Sequence, residues 1–167
     1  HSQGVGLDKN YTMQGEFRVQ TTGTALGADD SGLEFNKRLQ AGNVSFYIYD
    51  AVSGQMVPGA FGQLDFGGGA NFDPAVHSLN DVMNAINVTH GAYVTASITN
   101  NQLSITANPG YTFAVSDDTA GLMAGLGLNT FFSGDSSTNI GMNAAIVQDL
   151  RKICAAAING GYEGNEG

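Results

Sequence analysis

The sequence predicts an α+β fold: a mainly antiparallel sheet with one or two short helices packed on one face, plus a C-terminal helical segment. Three observations predict it. Residues 43–50, "NVSFYIYD", alternate Val44, Phe46 and Ile48 against Ser45, Tyr47 and Tyr49, the period of a half-buried strand with an aromatic-rich outer face. Residues 93–107 alternate through Val94, Ala96 and Ile98, then back through Leu103, Ile105 and Ala107, around an Asn100-Asn101 pair able to take positive φ, which is a hairpin. Between these lie Leu79, Val82, Met83 and Ile86 at i, i+3, i+4 and i+7, one apolar helical stripe.

In chain order, residues 1–40 read as an irregular lead-in segment, with one candidate strand at Glu16–Thr22 and a short helical turn before Gly42. The outer α+β domain follows over 41–160, and 161–167 form an exit linker. After the 43–50 strand, "AFGQLDF" is a second strand, its broken alternation placing a bulge at Gly62. "GGGANFDPAVH" is loop. Ser78 is a natural N-cap, and Asp81 stands three residues on, where it reaches back to the cap. Pro109-Gly110 makes a turn into "YTFAVSD", with Phe113 and Val115 inward. Asp117 and Asp118 suit the N-terminus of a short helix and Gly127 its C′ position. Finally Ile146, Leu150, Ile153, Cys154 and Ala157 share one face of a helix for which Asn143 is a cap.

Charge narrows the function. Of 167 residues only 13% are charged, about half the usual share of roughly 25%, and the net charge is −9. Lys9, Arg18, Lys37 and Arg38 lie at one end, Arg151 and Lys152 at the other, with no Lys or Arg between Leu39 and Leu150. Phosphate neutralisation needs cations, so this neutral-to-acidic middle argues against nucleic acid and against anionic membrane surfaces. No run approaches the roughly 20 apolar residues of a membrane span. The single cysteine, Cys154, rules out an internal disulfide, and its place on an apolar helical face makes it a buried structural thiol. Loop-like ends and the lack of an initiator Met lead us to expect a piece of a larger protein.

Nothing in the sequence reads as catalytic, cofactor-binding or metal-ligating. His1, His77 and His90 do not pair at metal-ligand spacing and read as solvated loop histidines. Asp29-Asp30 and Asp117-Asp118 lack the alternation of a calcium loop; a turn and a helix start explain them more simply. "FGGGANF" has neither the strand–GxGxxG–helix context nor a lysine for phosphates. Asn10, Asn43 and Asn87 each begin an N-glycan acceptor triplet, a frequent event in an Asn- and Thr-rich chain.

One segment carries more. "GLGLNTFFSGDSSTNIGMNAAIVQD", residues 125–149, resembles a hallmark of the flagellar hook-associated protein 1 family: a Leu-Gly-Leu-Asn-x-Phe-Phe core, a Gly-Ser/Asp-rich turn, and an Ile-x-x-Asn stretch before a helical turn. Leu126–Phe132, Gly134 and Ile140–Asn143 fit it. "HSQGVGL" at the start and "EGNEG" at the end are similar to that family's junctions with a helical rod, and residues 78–107 are similar to a repeat of flagellin variable regions. The chain departs from the family at Asp149-Leu150, where Asp-Pro is usual, and at Cys154, where a small residue is usual.

The resemblance implies a non-enzymatic structural domain of the bacterial flagellum at the hook–filament junction, outside the cell, exported unfolded through the flagellar type III channel. It implies neighbouring copies of the same protein as partners. Hook protein and the adjoining junction protein would be reached through terminal helices that lie outside this chain. Without those helices the fragment is expected to be monomeric. Leu128, Phe131 and Phe132 are then a structural clasp, and Leu79, Val82, Met83 and Ile86 the core helix. The alternative from another class is a secreted adhesin or carbohydrate-binding module, stacking sugars on Tyr47, Tyr49 and Tyr93. The variable domain of another flagellar axial protein is the nearest rival of the same class.

Overall fold

The computed structural model describes residues 12–33 and 36–128, together with the backbone of four two-residue strands beyond them. The fold is α+β and sheet-dominated. Strand β1 (Thr12–Gln14) is followed by a 3-10 turn at Asn36–Arg38, strands β2 (Ser45–Asp50) and β3 (Met56–Gln63), and helix α1 (Leu79–His90). Then come β4 (Val94–Thr99), β5 (Gln102–Ala107), β6 (Tyr111–Ser116) and the one-turn helix α2 (Leu122–Gly125). The short strands β7 (Phe132–Ser133) and β8 (Gly141–Met142) pair antiparallel, as do β9 (Ile158–Asn159) and β10 (Tyr162–Glu163). The predicted helix over Asn143–Ala157 lies outside the described residues.

The strands form two antiparallel three-stranded sheets, ordered β1-β5-β4 and β3-β2-β6, where the sequence suggested one. One core joins them. Val94, Ala96, Leu103, Ile105 and Ala107 from the first sheet meet Phe46, Ile48, Ala60, Phe113 and Val115 from the second, with Leu79, Val82, Ala85 and Ile86 of α1. Met83, on the same stripe, is half-buried against that core.

The hairpin turns at Asn100 (φ 52°) and Asn101 (φ 61°), the left-handed pair a two-residue loop needs to match strand twist. Helix α1 starts with a complete capping box. Ser78 Oγ accepts the Asp81 N–H at 3.3 Å, and the Asp81 carboxylate accepts the Ser78 N–H at 2.8 Å. The Asn80 N–H donates to the Thr22 carbonyl at 3.0 Å, so the lead-in chain satisfies another of the helix's orphan donors.

Two local expectations are corrected. Glu16–Thr22 is not a strand; the ladder on β5 lies earlier, at Thr12–Gln14. Beyond it the backbone donors disperse, Gly15 to Leu103, Phe17 to Leu126 and Val19 to Asn101, so no regular pairing continues. The irregularity in β3 is not at Gly62, which pairs with Phe46. It falls where the register jumps from Tyr47/Phe61 to Tyr49/Met56, leaving Val57-Pro58-Gly59-Ala60 opposite one residue of β2. Proline cannot donate to a ladder, and Gly59 at φ 76° takes up the bend. The described residues between 12 and 40 are irregular apart from β1 and the 3-10 turn, yet Met13, Val19, Leu26, Leu33 and Leu39 are all buried in the common core.

Candidate functional site

The segment that carries the resemblance begins at α2. Asp118 holds the start of this helix, its Oδ1 accepting the Leu122 N–H at 3.0 Å and its Oδ2 the Met123 N–H at 2.8 Å. Asp117, expected to share that task, adopts φ 52° and accepts the Tyr47 hydroxyl at 3.0 Å instead. At the other end, Leu128 N–H reaches the Met123 carbonyl at 2.8 Å and Gly127 N–H the Ala124 carbonyl at 3.0 Å, a Schellman closure. Gly127 is at φ +70°, and a Cβ there would lie 2.9 Å from Glu16 N and from the Phe17 ring. Glycine is thus required twice over, for its conformation and for the close approach of the lead-in chain.

This closure drives Leu126 and Leu128 into the core, each 1% exposed. Leu128 of the proposed clasp is therefore a core anchor. The side chains of Phe131 and Phe132 lie outside the described residues; the backbone of Phe132 pairs with that of Met142.

A shallow cleft of about 320 Å³ lies between the glycine loop and α1, lined by Asp65, Phe66, Gly67, Gly68, Asp81, Asn84, Ala85 and Val88. Its two carboxylates are already engaged. Asp65 Oδ1 accepts the N–H groups of Gly67 and Gly69 at 2.7 and 2.8 Å, so the glycine loop wraps the chain's own carboxylate. Asp81 is committed to the capping box, and its bonds from the Ser78 hydroxyl and N–H hold its carboxyl below the usual carboxylate range. No nucleophile paired with a base faces the cleft.

The same holds for acidic residues generally. Between Leu39 and Leu128 the charged residues are six aspartates, with no Glu, Lys or Arg. Asp50 accepts from Val52 and Ser53, Asp73 from Ala75, and Asp65, Asp81, Asp117 and Asp118 as described. The short Asp side chain reaches backbone donors a few residues away, so this acidity is turn and cap chemistry. In the lead-in chain Asp29 pairs with Lys37, both well exposed. Among the described residues no group of three His, Cys, Asp or Glu could hold a metal ion.

The histidines depart from expectation. His90 is not in a solvated turn; it is the last residue of α1, 4% exposed, stacked on Phe46 at 5.4 Å with Nε2 3.3 Å from the Gly62 carbonyl. Burial pushes its pKa below 6.5, outweighing that hydrogen bond. His77 Nδ1 accepts the Asp73 N–H at 2.9 Å, and its ring packs beside Phe66 and Phe72. The signal for His90 was present in the sequence: it stands four residues beyond Ile86 and continues the apolar stripe.

Asn87, the first residue of one acceptor triplet, has a structural role. Its amide accepts the Ala96 N–H at 2.8 Å and donates to the Ala96 carbonyl at 2.9 Å. Ala96 lies on the outer edge of β4, so one side chain stands in for a neighbouring strand. Its acceptor triplet is thereby occupied by structure. The tyrosines of β2 are not an exposed platform either. Tyr47 and Tyr49 are 8% and 4% exposed, packed with Ala114 and Met56, and Tyr93 stacks edge-on to Tyr111.

Compared with known proteins, the chain matches no protein family and no curated protein sequence. Its functional reading rests on its own residues.

Proposed function

We propose that this chain is the outer domain of a hook–filament junction protein, a non-enzymatic structural component of the bacterial flagellum located outside the cell. The observation that carries the reading is the likeness of residues 125–149 to the hook-associated protein 1 family. Within that segment Gly127 permits a close approach of the lead-in chain: the Phe17 N–H donates to the Leu126 carbonyl at 3.4 Å, and Gly127 lies against Glu16 and Phe17.

In this reading the partners are copies of the same protein around the junction, with hook protein and the adjoining junction protein engaged through terminal helices beyond this chain. Nucleic acid and membrane are not partners. Immunogold labelling of detached flagella with antibody raised against this fragment tests it. Gold confined to the hook–filament boundary is expected; gold along the filament, at its tip, or on no part of the flagellum overturns the proposal. Because assembly is assigned to the absent helices, sedimentation of the fragment at micromolar concentration should give a monomer, and a closed ring would refute that assignment.

A further inference from the structure

The loop between β3 and α1 contains the chain's one Asp-Pro bond, Asp73–Pro74. It lies at the surface. Asp73 and Pro74 are half-buried, Ala75 is exposed and Val76 is 66% exposed, so water reaches the bond. The turn holds both partners of a reaction within one residue. The Asp73 main-chain carbonyl oxygen accepts two backbone donors, the Val76 N–H at 3.1 Å and the His77 N–H at 2.8 Å. The Asp73 carboxylate Oδ1 accepts the Ala75 N–H at 2.9 Å, which folds the side chain over the Asp73–Pro74 peptide. The Asp73 N–H donates to His77 Nδ1 at 2.9 Å, and the Gly27 N–H donates to the Pro74 carbonyl at 2.8 Å, so the chain is fixed on both sides of the bond.

We infer that Asp73–Pro74 is a self-cleaving bond, cut by the Asp73 carboxyl with the turn acting as an oxyanion hole. A carboxyl oxygen of Asp73 forms a bond to its own main-chain carbonyl carbon and closes a five-membered ring. The carbonyl oxygen takes on negative charge, and the N–H groups of Val76 and His77 already point at it. The C–N bond then breaks. The Pro74 nitrogen leaves with the electron pair and takes up the carboxyl proton, becoming a secondary amine. One water opens the cyclic anhydride left on Asp73. The products are a chain ending in the Asp73 carboxylic acid and a chain beginning with the Pro74 amine. The net reaction consumes one water and needs no other reactant. Proline favours the step, because its ring-alkylated nitrogen carries no N–H and accepts a proton more readily than an ordinary peptide nitrogen. The two pieces stay together. Strands β1 and β2 precede the cut and pair with β5 and β6 beyond it, over three and six residues. The Ser78 cap of α1 lies downstream and is untouched.

The test incubates the 167-residue chain at pH 5, with its native fold verified by circular dichroism, beside the same chain unfolded in urea at the same pH. Intact-mass spectrometry should find fragments 1–73 and 74–167 accumulating at least about tenfold faster in the folded chain. Urea leaves the covalent bond unchanged and removes only the fixed donors and the held carboxyl. Asp73→Asn keeps a side-chain acceptor for the Ala75 N–H but loses the carboxyl, and should abolish the cleavage. The cut halves should elute as one species in gel filtration and part only in urea. Cleavage no faster in the folded chain than in urea overturns the inference, since the turn then merely shields the bond. So does cleavage of Asp73→Asn at the unsubstituted rate, and so does an intact bond in both states. Halves that part without denaturant refute the two-chain product.

Discussion

At the scale of single residues, the most consequential side chain is Asn87. Edge strands expose unpaired backbone groups that other chains can pair with. Here α1 lends its amide to close the Ala96 position of β4. Asn87→Ala removes both bonds and leaves a part-buried donor and acceptor unpaired, a loss of about 1–3 kcal/mol. Urea unfolding should show the shift in midpoint; an unchanged midpoint would mean water replaces the amide at no cost. None of this was legible in the sequence, because the partner is nine residues away across a turn and depends on which edge of the hairpin faces α1. The Ser78–Asp81 box was legible because it closes within one helical turn. His90 falls between: its spacing marked it as buried, while its residue type argued for solvent.

At the scale of elements, local chemistry was legible at three places. The α1 cap, the Asn100-Asn101 turn and the Gly127 terminus each follow from residues within five positions of one another. Ser78→Ala should destabilise the protein by about 1 kcal/mol, within the usual 0.5–2 for a lost N-cap, measured by denaturant titration. Errors arose where a non-local partner decides. Glu16–Thr22 has strand-like composition, but its backbone donors are taken by Leu126 and Asn101, and the register on β5 ends at Gln14. The clasp belongs at this scale too. Leu128 is buried, and its truncation to Ala should cost about 2–5 kcal/mol. If Phe131 and Phe132 continue the anchoring, Phe131→Ala and Phe132→Ala should each lower the melting temperature by a comparable or greater amount. Melts of both that match the unsubstituted chain would leave Leu128 as the sole anchor and reassign the rings to an interface.

For the whole molecule, the alternation in β2 correctly separated Phe46 and Ile48 from Tyr47 and Tyr49, but period two cannot say whether the second face meets water or another layer. The charge pattern gave a truer global signal. From Leu39 to Leu128 there is no cation to offset six aspartates, and each carboxylate is spent on a hydrogen bond. Acid should therefore undo this fold in two stages. The folded pKa of His90 is depressed from 6.5 by burial, so above that value both folded and unfolded histidine are neutral and stability is complete. As pH falls below 6.5, the unfolded chain takes up a proton that the folded chain refuses, and stability declines until the lower folded pKa is reached. Asp50 and Asp81, whose hydrogen bonds hold their pKa below 3.8, contribute a second loss only below that value. Glu16, raised from 4.5 by desolvation, acts in the opposite sense near its own pKa. Substituting His90 by Phe keeps a ring stacked on Phe46 and removes the titration, while Glu16 and the aspartates stay common to both proteins. Melting temperatures should then fall between pH 7 and pH 5 more steeply for the histidine protein than for His90→Phe. Equal slopes between pH 7 and pH 5 would show that the ring is hydrated enough to accept its proton in place.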